Sequence, residues 1–500
     1  MGAVAWSGAM RDIRIHATLL SLALLAPGCD RVGEYFKGGE SKPEVKTETP
    51  PATPVATPDV KADVKPDATK PAGSEPAPVA APATIPAAPP GPAGAAYFTV
   101  DRKGVVRLEG DKFTLLGDSP DMLIKNLQVG GDGAVWVVGY EDVLRLEGDK
   151  FKKITKAGFS ELGASIDAFA VTAEGHVWAA TFKGVSHFDG KAWTTEEKAK
   201  IGAGEDLLEG IAVDRGGKVF VASSHRVHVR DGGTWKDIDL TKSGARNQLF
   251  LESLLLAPDG AAYVLASTML LRVGPGAEQI TPLPLGGSSI ASYADLSVSS
   301  NGSLAVRDGD DAIVYPAGGN PRVYDGRSGK DFRADNVRAV AADDSGRVWV
   351  ASALGVAVLG PGDAKIEWPG GSVPELVGEV EDILVVGSGP ATLPASGPVR
   401  KGGLTGKVLQ DGSPLAGAEV ELCPSPSMMF SSSPCGDAPL KFIGAADDKG
   451  VWTFSDVPLG TYGIAVRVAG KWQITLGERV GRGMKEGQVY DTGSLALDRK

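Results

Sequence analysis

Cysteine and histidine are scarce in this chain. Its 500 residues include three cysteines and five histidines, and aromatic residues make up only 6%. The chain also has no excess of basic residues, because its 51 Lys and Arg are outnumbered by 62 Asp and Glu, which gives a net charge of −11. This charge argues against a partner that is a nucleic acid, whose phosphates attract basic proteins.

Catalytic and cofactor motifs are missing too. No serine stands in a nucleophile-elbow context, and no phosphate-cradling glycine loop leads into a helix. We therefore expect no cofactor, no metal and no catalytic residue. Glycine, by contrast, is abundant at 67 residues, which favours an all-β chain with many tight turns. The length predicts two or more domains.

Residues 1–28 resemble a bacterial lipoprotein signal peptide. Arg11 and Arg14 precede a short apolar stretch, and "APGCD" places small residues directly before Cys29. The apolar stretch is shorter than the roughly 20 residues that span a bilayer. The resemblance implies cleavage before Cys29 and its lipidation, with the protein anchored to the outer membrane or to the periplasmic face of the inner membrane. An ordinary secretory signal is the alternative, and either Met1 or Met10 is the start.

Residues 29–93 form a second region of unusual composition. From residue 38 onward Pro, Ala, Thr, Lys and Glu dominate, and there is almost nothing to bury. Such a segment is predicted to be disordered and extended. We interpret it as a tether that holds the following domains away from the membrane.

A repeat begins at residue 94. The stretch "RLEGDKF" occurs at 107–113 and again at 145–151, and one glycine recurs every 39 to 44 residues, with an aromatic residue three positions after most copies. Apolar pairs that alternate at period two precede these glycines, which indicates a strand. A unit of about 42 residues with four short strands is typical of a β-propeller blade. The recurring glycines are Gly94, Gly133, Gly175, Gly217, Gly260, Gly302, Gly346 and Gly389.

The two ends of the repeat complement each other. The unit at Gly94 lacks its first strand, whereas the unit at Gly389 has that strand (380–389) and then degenerates. A C-terminal strand that closes the ring would explain both ends and remove exposed sheet edges. The sequence thus predicts a seven-bladed propeller over residues 94–400, or eight blades if residues 390–400 form a further strand. The "RLEGDKF" segments are predicted to be hairpins whose aromatic residue fills the space between neighbouring blades.

Two segments carry a family resemblance. "AEGHVWAATFKGVSHFDGKAW" (173–193) and "DSGRVWVASALGVAVLGPG" (344–362) resemble the two-component regulator propeller repeat. The resemblance implies a propeller but says little about function, because related repeats occur in sensors, in lyases and in scaffolds.

Residues 401–500 resemble a carboxypeptidase regulatory-like domain. The matching segments are Gly406–Val408, Pro414–Val420 and Val457–Tyr462. The resemblance implies a small transthyretin-like β-sandwich that serves as a structural or adhesive appendage. In an exported protein, Cys423 and Cys435 are expected to form a disulfide, with two free thiols as the alternative.

The remaining polar candidates are few. His176, His187, His225 and His228 could supply an acid and a base, but the spacing in "HRVH" (225–228) directs its two histidines to opposite faces of a strand. The acidic run at 307–314 lacks calcium-loop spacing and is interpreted as a solvated turn, as is the Asp343–Asp344 pair. The basic segment 326–338 is interpreted as a solvated loop that could meet an acidic partner.

These observations favour a non-enzymatic protein of the bacterial cell envelope. We expect it to bind a protein or a glycan through the propeller face, at one end of the central channel. A propeller lyase or hydrolase is one alternative, which clustering of the four histidines with carboxylates at the channel mouth would favour. An assembly factor for outer-membrane proteins is the other.

The lipid anchor can be tested at Cys29. The Cys29→Ser variant is expected to leave the membrane fraction, because the side chain that carries the lipid is lost. Cell fractionation with detection of the chain measures this, and Ser41→Ala in the predicted tether is the control. Continued membrane association of Cys29→Ser would contradict the anchor.

Overall fold

The structure is a computed structural model that describes residues 94–497 except 119–123, 125, 244–250, 267–268, 275–279, 284–295, 318, 362–363, 428–432 and 475–478. The predicted signal peptide with Cys29 and the predicted tether lie outside the described residues. Within the described part, strands dominate, and no helix is long and apolar enough to cross a membrane.

The first 28 strands of the described chain form seven four-stranded antiparallel sheets. Each sheet is one blade, and we number the blades along the chain from residue 94. Blades 1 to 3 contain β1 (Ala95–Val100), β2 (Gly104–Glu109), β3 (Lys112–Leu115); β4 (Asn126–Val129), β5 (Val135–Val138), β6 (Asp142–Glu147), β7 (Lys150–Lys156); and β8 (Ile166–Val171), β9 (Val177–Thr181), β10 (Gly184–Phe188), β11 (Trp193–Glu197).

The remaining blades follow in the same order, and β28 returns to blade 1. Two short helices, α1 (Gly158–Glu161) and α2 (Lys198–Ile201), lie in the connections from blade 2 to 3 and from blade 3 to 4. The strands are β12 (Leu208–Val213), β13 (Val219–Ser223), β14 (Arg226–Asp231), β15 (Thr234–Asp239); β16 (Leu251–Leu256), β17 (Ala262–Ala266), β18 (Met269–Val273), β19 (Ile280–Leu283); β20 (Leu296–Val298), β21 (Leu304–Asp308), β22 (Asp311–Tyr315), β23 (Arg322–Tyr324); β24 (Val337–Ala342), β25 (Val348–Ser352), β26 (Gly355–Leu359), β27 (Lys365–Pro369); and β28 (Val380–Val386).

Blade 1 closes the ring, as the sequence predicts. Strand β28 pairs antiparallel with β1, so that Val386 lies opposite Ala95 and Ile383 lies opposite Phe98. The described residues 390–400 contain no strand, so the ring has seven blades and not eight.

The core of the ring lies between the blades. In the described residues, each of the seven pairs of neighbouring blades shares one buried apolar cluster. In the cluster that joins blade 7 to blade 1, Trp349 and Trp368 pack with Phe98 and Ile383. Because strands present alternate side chains to their two faces, every blade contributes to two such clusters.

The "RLEGDKF" segments are the hairpins β2–β3 and β6–β7, which confirms the prediction. Phe113 packs edge-on against Trp368 of blade 7, and Phe151 is buried between blades 1 and 2. Arg107 of the first copy donates a hydrogen bond to Asp149 of the second at 2.6 Å. The segment is therefore a structural unit that links neighbouring blades.

The C-terminal region forms a β-sandwich around one core. Trp452, Tyr462 and Ile464 are among its buried residues. A disulfide joins Cys423 and Cys435, as expected. Within the loop that this disulfide closes, the hydroxyl of Ser433 and the backbone amide of Cys435 donate hydrogen bonds to the buried carboxylate of Glu421. The two sheets consist of β29 (Lys401–Gln410), β30 (Ser413–Pro414), β33 (Val451–Pro458), β36 (Val489–Leu497) and of β31 (Glu419–Cys423), β32 (Phe442–Ala445), β34 (Gly463–Val468), β35 (Lys471–Ile474).

Ring closure is expected to depend on Ile383. Ile383→Ala removes a buried side chain from the cluster of blades 7 and 1, which should lower the free energy of unfolding by about 2–4 kcal/mol. The exposed Val323→Ala is the control and should change it by less than about 0.5 kcal/mol. Urea unfolding followed by tryptophan fluorescence measures both. Equal effects of the two substitutions would contradict this role.

Candidate binding surface

The strand order gives the ring two distinct ends. In each blade, strands 1 and 3 end and strands 2 and 4 begin at one end of the ring. Strands 2 and 4 end and strands 1 and 3 begin at the other end, which therefore carries the 2–3 turns and the connections between blades where these are described. We call the latter end the connection face. The recurring glycines and the "RLEGDKF" turns lie at the opposite end.

The sandwich docks on the connection face beside blades 7 and 1. Arg482 pairs with Asp101 in the 2–3 turn of blade 1 at 2.6 Å, and Arg479 pairs with Glu379, just before β28, at 3.0 Å. The side-chain amide of Asn336 (Nδ2) donates a hydrogen bond to the Ser425 hydroxyl at 3.0 Å. These contacts cover one sector of the face that usually carries binding residues in a propeller.

The docking interface holds several buried charges. Glu379 lies between Arg338 and Arg479 and pairs with both. Burial raises the pKa of Glu381 to about 7, and the Asp101 and Glu379 carboxylates add to this effect. Burial, with the nearby Asp310, likewise raises the pKa of Asp335 to about 6. The arginines therefore compensate only part of the negative charge that the interface encloses.

Blades 2 to 4 leave their sector of the connection face uncovered by these contacts, and apolar side chains are exposed there. Tyr140 is 45% exposed and Phe182 is 49% exposed, each in a 2–3 turn. Phe159 is 55% exposed and Leu207 is 53% exposed, each in a connection between blades. We call these four residues the apolar ridge.

Hydrogen bonds join the segments that carry the apolar ridge. The amide of Ala157 donates to the carbonyl of Glu141 at 2.7 Å, and the Ser160 hydroxyl donates to the Glu141 carboxylate at 2.5 Å. The Lys183 ammonium donates to the carbonyl of Leu162 at 3.0 Å. The 2–3 turns of blades 2 and 3 are thus both linked to the connection that carries Phe159.

A β-bulge interrupts the first strand of five blades near the connection face. The register shifts between Ile166 and Ala168, for example, which leaves Asp167 as the extra residue. Each bulged residue is charged and lies eight positions before the recurring glycine of its unit. A charged residue at this fixed position in an otherwise apolar strand is the signal from which the bulge could have been predicted. Bulges of this kind often re-aim side chains next to functional sites. The bulged residues are Asp167, Glu209, Glu252, Arg338 and Glu381.

The four histidines do not converge at the channel mouth. His176 and His187 lie toward the end opposite the connection face, with ring centroids 5.5 Å apart, and His187 stacks on Trp178 at 4.1 Å. Burial lowers the pKa of His187. His225 lies in the 2–3 turn of blade 4, where Nδ1 is 3.5 Å from Asp206. The arrangement that would favour an enzyme is therefore not observed.

Blade 4 contains a serine–histidine–aspartate chain that sequence reasoning missed. The Ser223 hydroxyl lies 3.0 Å from Nε2 of His228, and Nδ1 of His228 lies 2.8 Å from the Asp237 carboxylate. The three residues come from adjacent strands, so no local motif marks them. Ser223 and His228 are both 0% exposed, which denies a substrate access to the hydroxyl. Ser223 and His228 are thus a buried, hydrogen-bonded pair that is anchored by the partly exposed Asp237, rather than an open nucleophile site.

The acidic and basic segments serve the fold, which corrects two interpretations. Asp343 is buried and binds Trp349 through its carboxylate at 3.0 Å, so it is not a solvated turn. Segment 326–338 is not a solvated loop either, because Phe332 is buried and Asp310 accepts a hydrogen bond from the amide of Val337 at 3.2 Å. No group of metal-ligating side chains occurs in the described residues.

No family model and no curated protein matches the chain. Solved structures show similarity at low identity. The extracellular domain of a hybrid two component system from B. thetaiotaomicron is 12% identical, over 75% of this chain and 55% of that chain, with a TM-score of 0.38.

Two further structures show similarity at the same level. PorZ, a surface component of the type-IX secretion system of Porphyromonas gingivalis, is 14% identical over 78% of this chain and 64% of that chain, with a TM-score of 0.38. Virginiamycin B lyase from Staphylococcus aureus is 13% identical over 55% of this chain and 87% of that chain, with a TM-score of 0.40. Similarities this weak carry no argument about function.

The Ser223–His228–Asp237 chain is expected to be structural. His228→Leu removes the fully buried imidazole that bonds to Ser223 and Asp237, which should lower the free energy of unfolding by about 1–3 kcal/mol. His176→Leu, which is only partly buried, is the control and should cost less. A fluorophosphonate probe should not label Ser223 in the folded protein. Labelling at Ser223, detected by mass spectrometry, would contradict the structural role.

Proposed function

We propose that this chain is a non-enzymatic binding protein of the bacterial cell envelope, which recognises a protein partner through the apolar ridge. The exposure of Tyr140, Phe159, Phe182 and Leu207 in neighbouring turns and connections at one end of the ring carries the proposal. Contiguous exposed apolar patches are uncommon on soluble proteins and mark interaction sites. Aromatic side chains in particular contribute much of the binding energy at protein interfaces.

The charges around the apolar ridge specify the chemistry of the partner. Glu161, Asp167 and Glu205 are exposed carboxylates on the same sector of the face. Among the neighbouring lysines, Lys183 is engaged by the carbonyl of Leu162 and Lys200 by Glu196, while Lys156 is exposed. An acidic rim around an apolar centre suits a partner segment with apolar anchors and basic flanks.

The proposed architecture places this surface away from a membrane. The sequence resemblance supports lipidation at Cys29, and the Pro- and Ala-rich residues 29–93 suit a tether that gives the propeller reach. The resemblance of residues 401–500 to a carboxypeptidase regulatory-like domain supports an appendage without catalytic residues. The sandwich then serves to cover and stabilise one sector of the connection face.

Removing two ridge aromatics is expected to weaken recognition strongly. Full-length Phe159→Ser/Phe182→Ser should capture the partner from an envelope extract about thirtyfold less well than the wild type or worse, because each aromatic anchor contributes on the order of 1–2 kcal/mol. Crosslinking followed by mass spectrometry measures the capture. Val323→Ser/Ile443→Ser, which changes two equally exposed side chains outside the ridge, is the matched control.

Three outcomes would contradict the proposal. The double variant could retain full capture, the control could lose it equally, or the captured material could resist protease and be removed by glycosidase. The last result would identify a glycan as the partner.

A further inference from the structure

A cleft of about 380 Å³ lies between blade 7 and the sandwich. On the propeller side, β25, β26 and β27 supply its wall together with the segment that leads into β28. On the sandwich side, Leu440, residues 458–462 and Arg479 close it. Volumes of about 300–1,000 Å³ are typical of small-molecule sites, which occur preferentially where two domains meet.

The walls of the cleft are mostly apolar. Trp368 and Val356 line it from the propeller, and Leu459 and Tyr462 line it from the sandwich. The Trp368 indole is held by a hydrogen bond from Nε1 to the carbonyl of Pro394 at 2.9 Å, and the Tyr462 hydroxyl donates to the carbonyl of Pro458 at 2.7 Å. Because both polar atoms are satisfied, the two aromatic side chains present fixed rings to the cleft.

One hydroxyl in the cleft lacks a partner. Thr461 lines the cleft and is 8% exposed, and its Oγ1 has no hydrogen-bond partner within the described residues. A buried hydroxyl without a hydrogen-bond partner costs about 1–3 kcal/mol, so we expect this hydroxyl to find a partner when the protein functions. A ligand atom that accepts or donates a hydrogen bond would satisfy it.

We propose that this cleft binds a small, mostly apolar ligand with one hydroxyl or carbonyl group, which hydrogen-bonds to Thr461. The apolar body of the ligand lies against Trp368, Val356 and Leu459. Glu379 and Arg479 also line the cleft but form an ion pair with each other at 3.0 Å. The site is independent of the apolar ridge, which lies on blades 2 to 4.

The position of the cleft couples the ligand to domain docking. A ligand there contacts blade 7 and the sandwich together, so it binds the docked arrangement in preference to any arrangement that separates the two walls. The amide of Arg400 donates to the carbonyl of Gly371 at 3.2 Å, and the amide of Leu459 donates to the carbonyl of Arg400 at 2.9 Å, which ties both walls to one backbone segment. Occupation is therefore expected to slow exchange at these amides.

Benzyl alcohol and toluene form a matched pair of probes for the full-length protein. Ligand-observed saturation-transfer NMR is expected to show saturable binding of benzyl alcohol in the millimolar range, as suits a ligand of about eight heavy atoms. Thr461→Val should weaken benzyl alcohol about fivefold to tenfold and leave toluene unchanged, because only the alcohol uses the hydroxyl. Thr194→Val, an exposed threonine of blade 3, is the control and should change neither.

A second readout separates the cleft from other apolar surfaces. Hydrogen exchange at residues 371–380 and 458–462 should slow about twofold or more with benzyl alcohol, while exchange in blade 3 stays constant. Leu440→Trp, which enlarges a side chain that lines the cleft, should abolish both effects, and an unchanged thermal unfolding midpoint would show that the variant folds. Absence of saturable binding, or equal affinity for benzyl alcohol in Thr461→Val and wild type, would overturn the proposal.

Discussion

Pairing between β28 and β1 is the constraint on which the rest of the structure depends. It joins residues almost 300 positions apart in the chain, with Val386 opposite Ala95, and turns an open row of sheets into a ring. Without it, blades 7 and 1 would expose both a strand edge and the apolar cluster that contains Trp349 and Trp368. Closure also fixes where Glu379 and Asp101 lie, and these residues then bind the arginines of the sandwich.

Docking of the sandwich divides the connection face into two unequal parts. Beside blades 7 and 1, the face is covered by a buried network in which Glu379 pairs with Arg338 and Arg479. Buried ion pairs of this kind contribute little to net stability, because desolvation offsets much of the attraction. Blades 2 to 4 keep Phe159 and Phe182 exposed. The same repeat thereby provides a covered sector and an open one.

Much of the fold could be predicted because it is periodic. Local sequence reveals the recurring glycines, the paired "RLEGDKF" hairpins and the incomplete terminal units. The spacing of Cys423 and Cys435 likewise predicts the disulfide. The binding surfaces could not be predicted in this way. The Ser223–His228–Asp237 chain, the docking pair of Arg482 and Asp101, and the cleft around Thr461 all join residues that only tertiary packing brings together.

The polar groups are compatible with the recognition function proposed above. At Ser223 and His228, a hydroxyl and an imidazole lie close together but are buried and bonded to each other. Asp343 is likewise held by Trp349 and Arg347. A catalytic site needs reactive groups that a substrate can reach, whereas a recognition site needs exposed apolar area on a rigid support. The ring provides that support, and the recognition surface proposed on it is the apolar ridge.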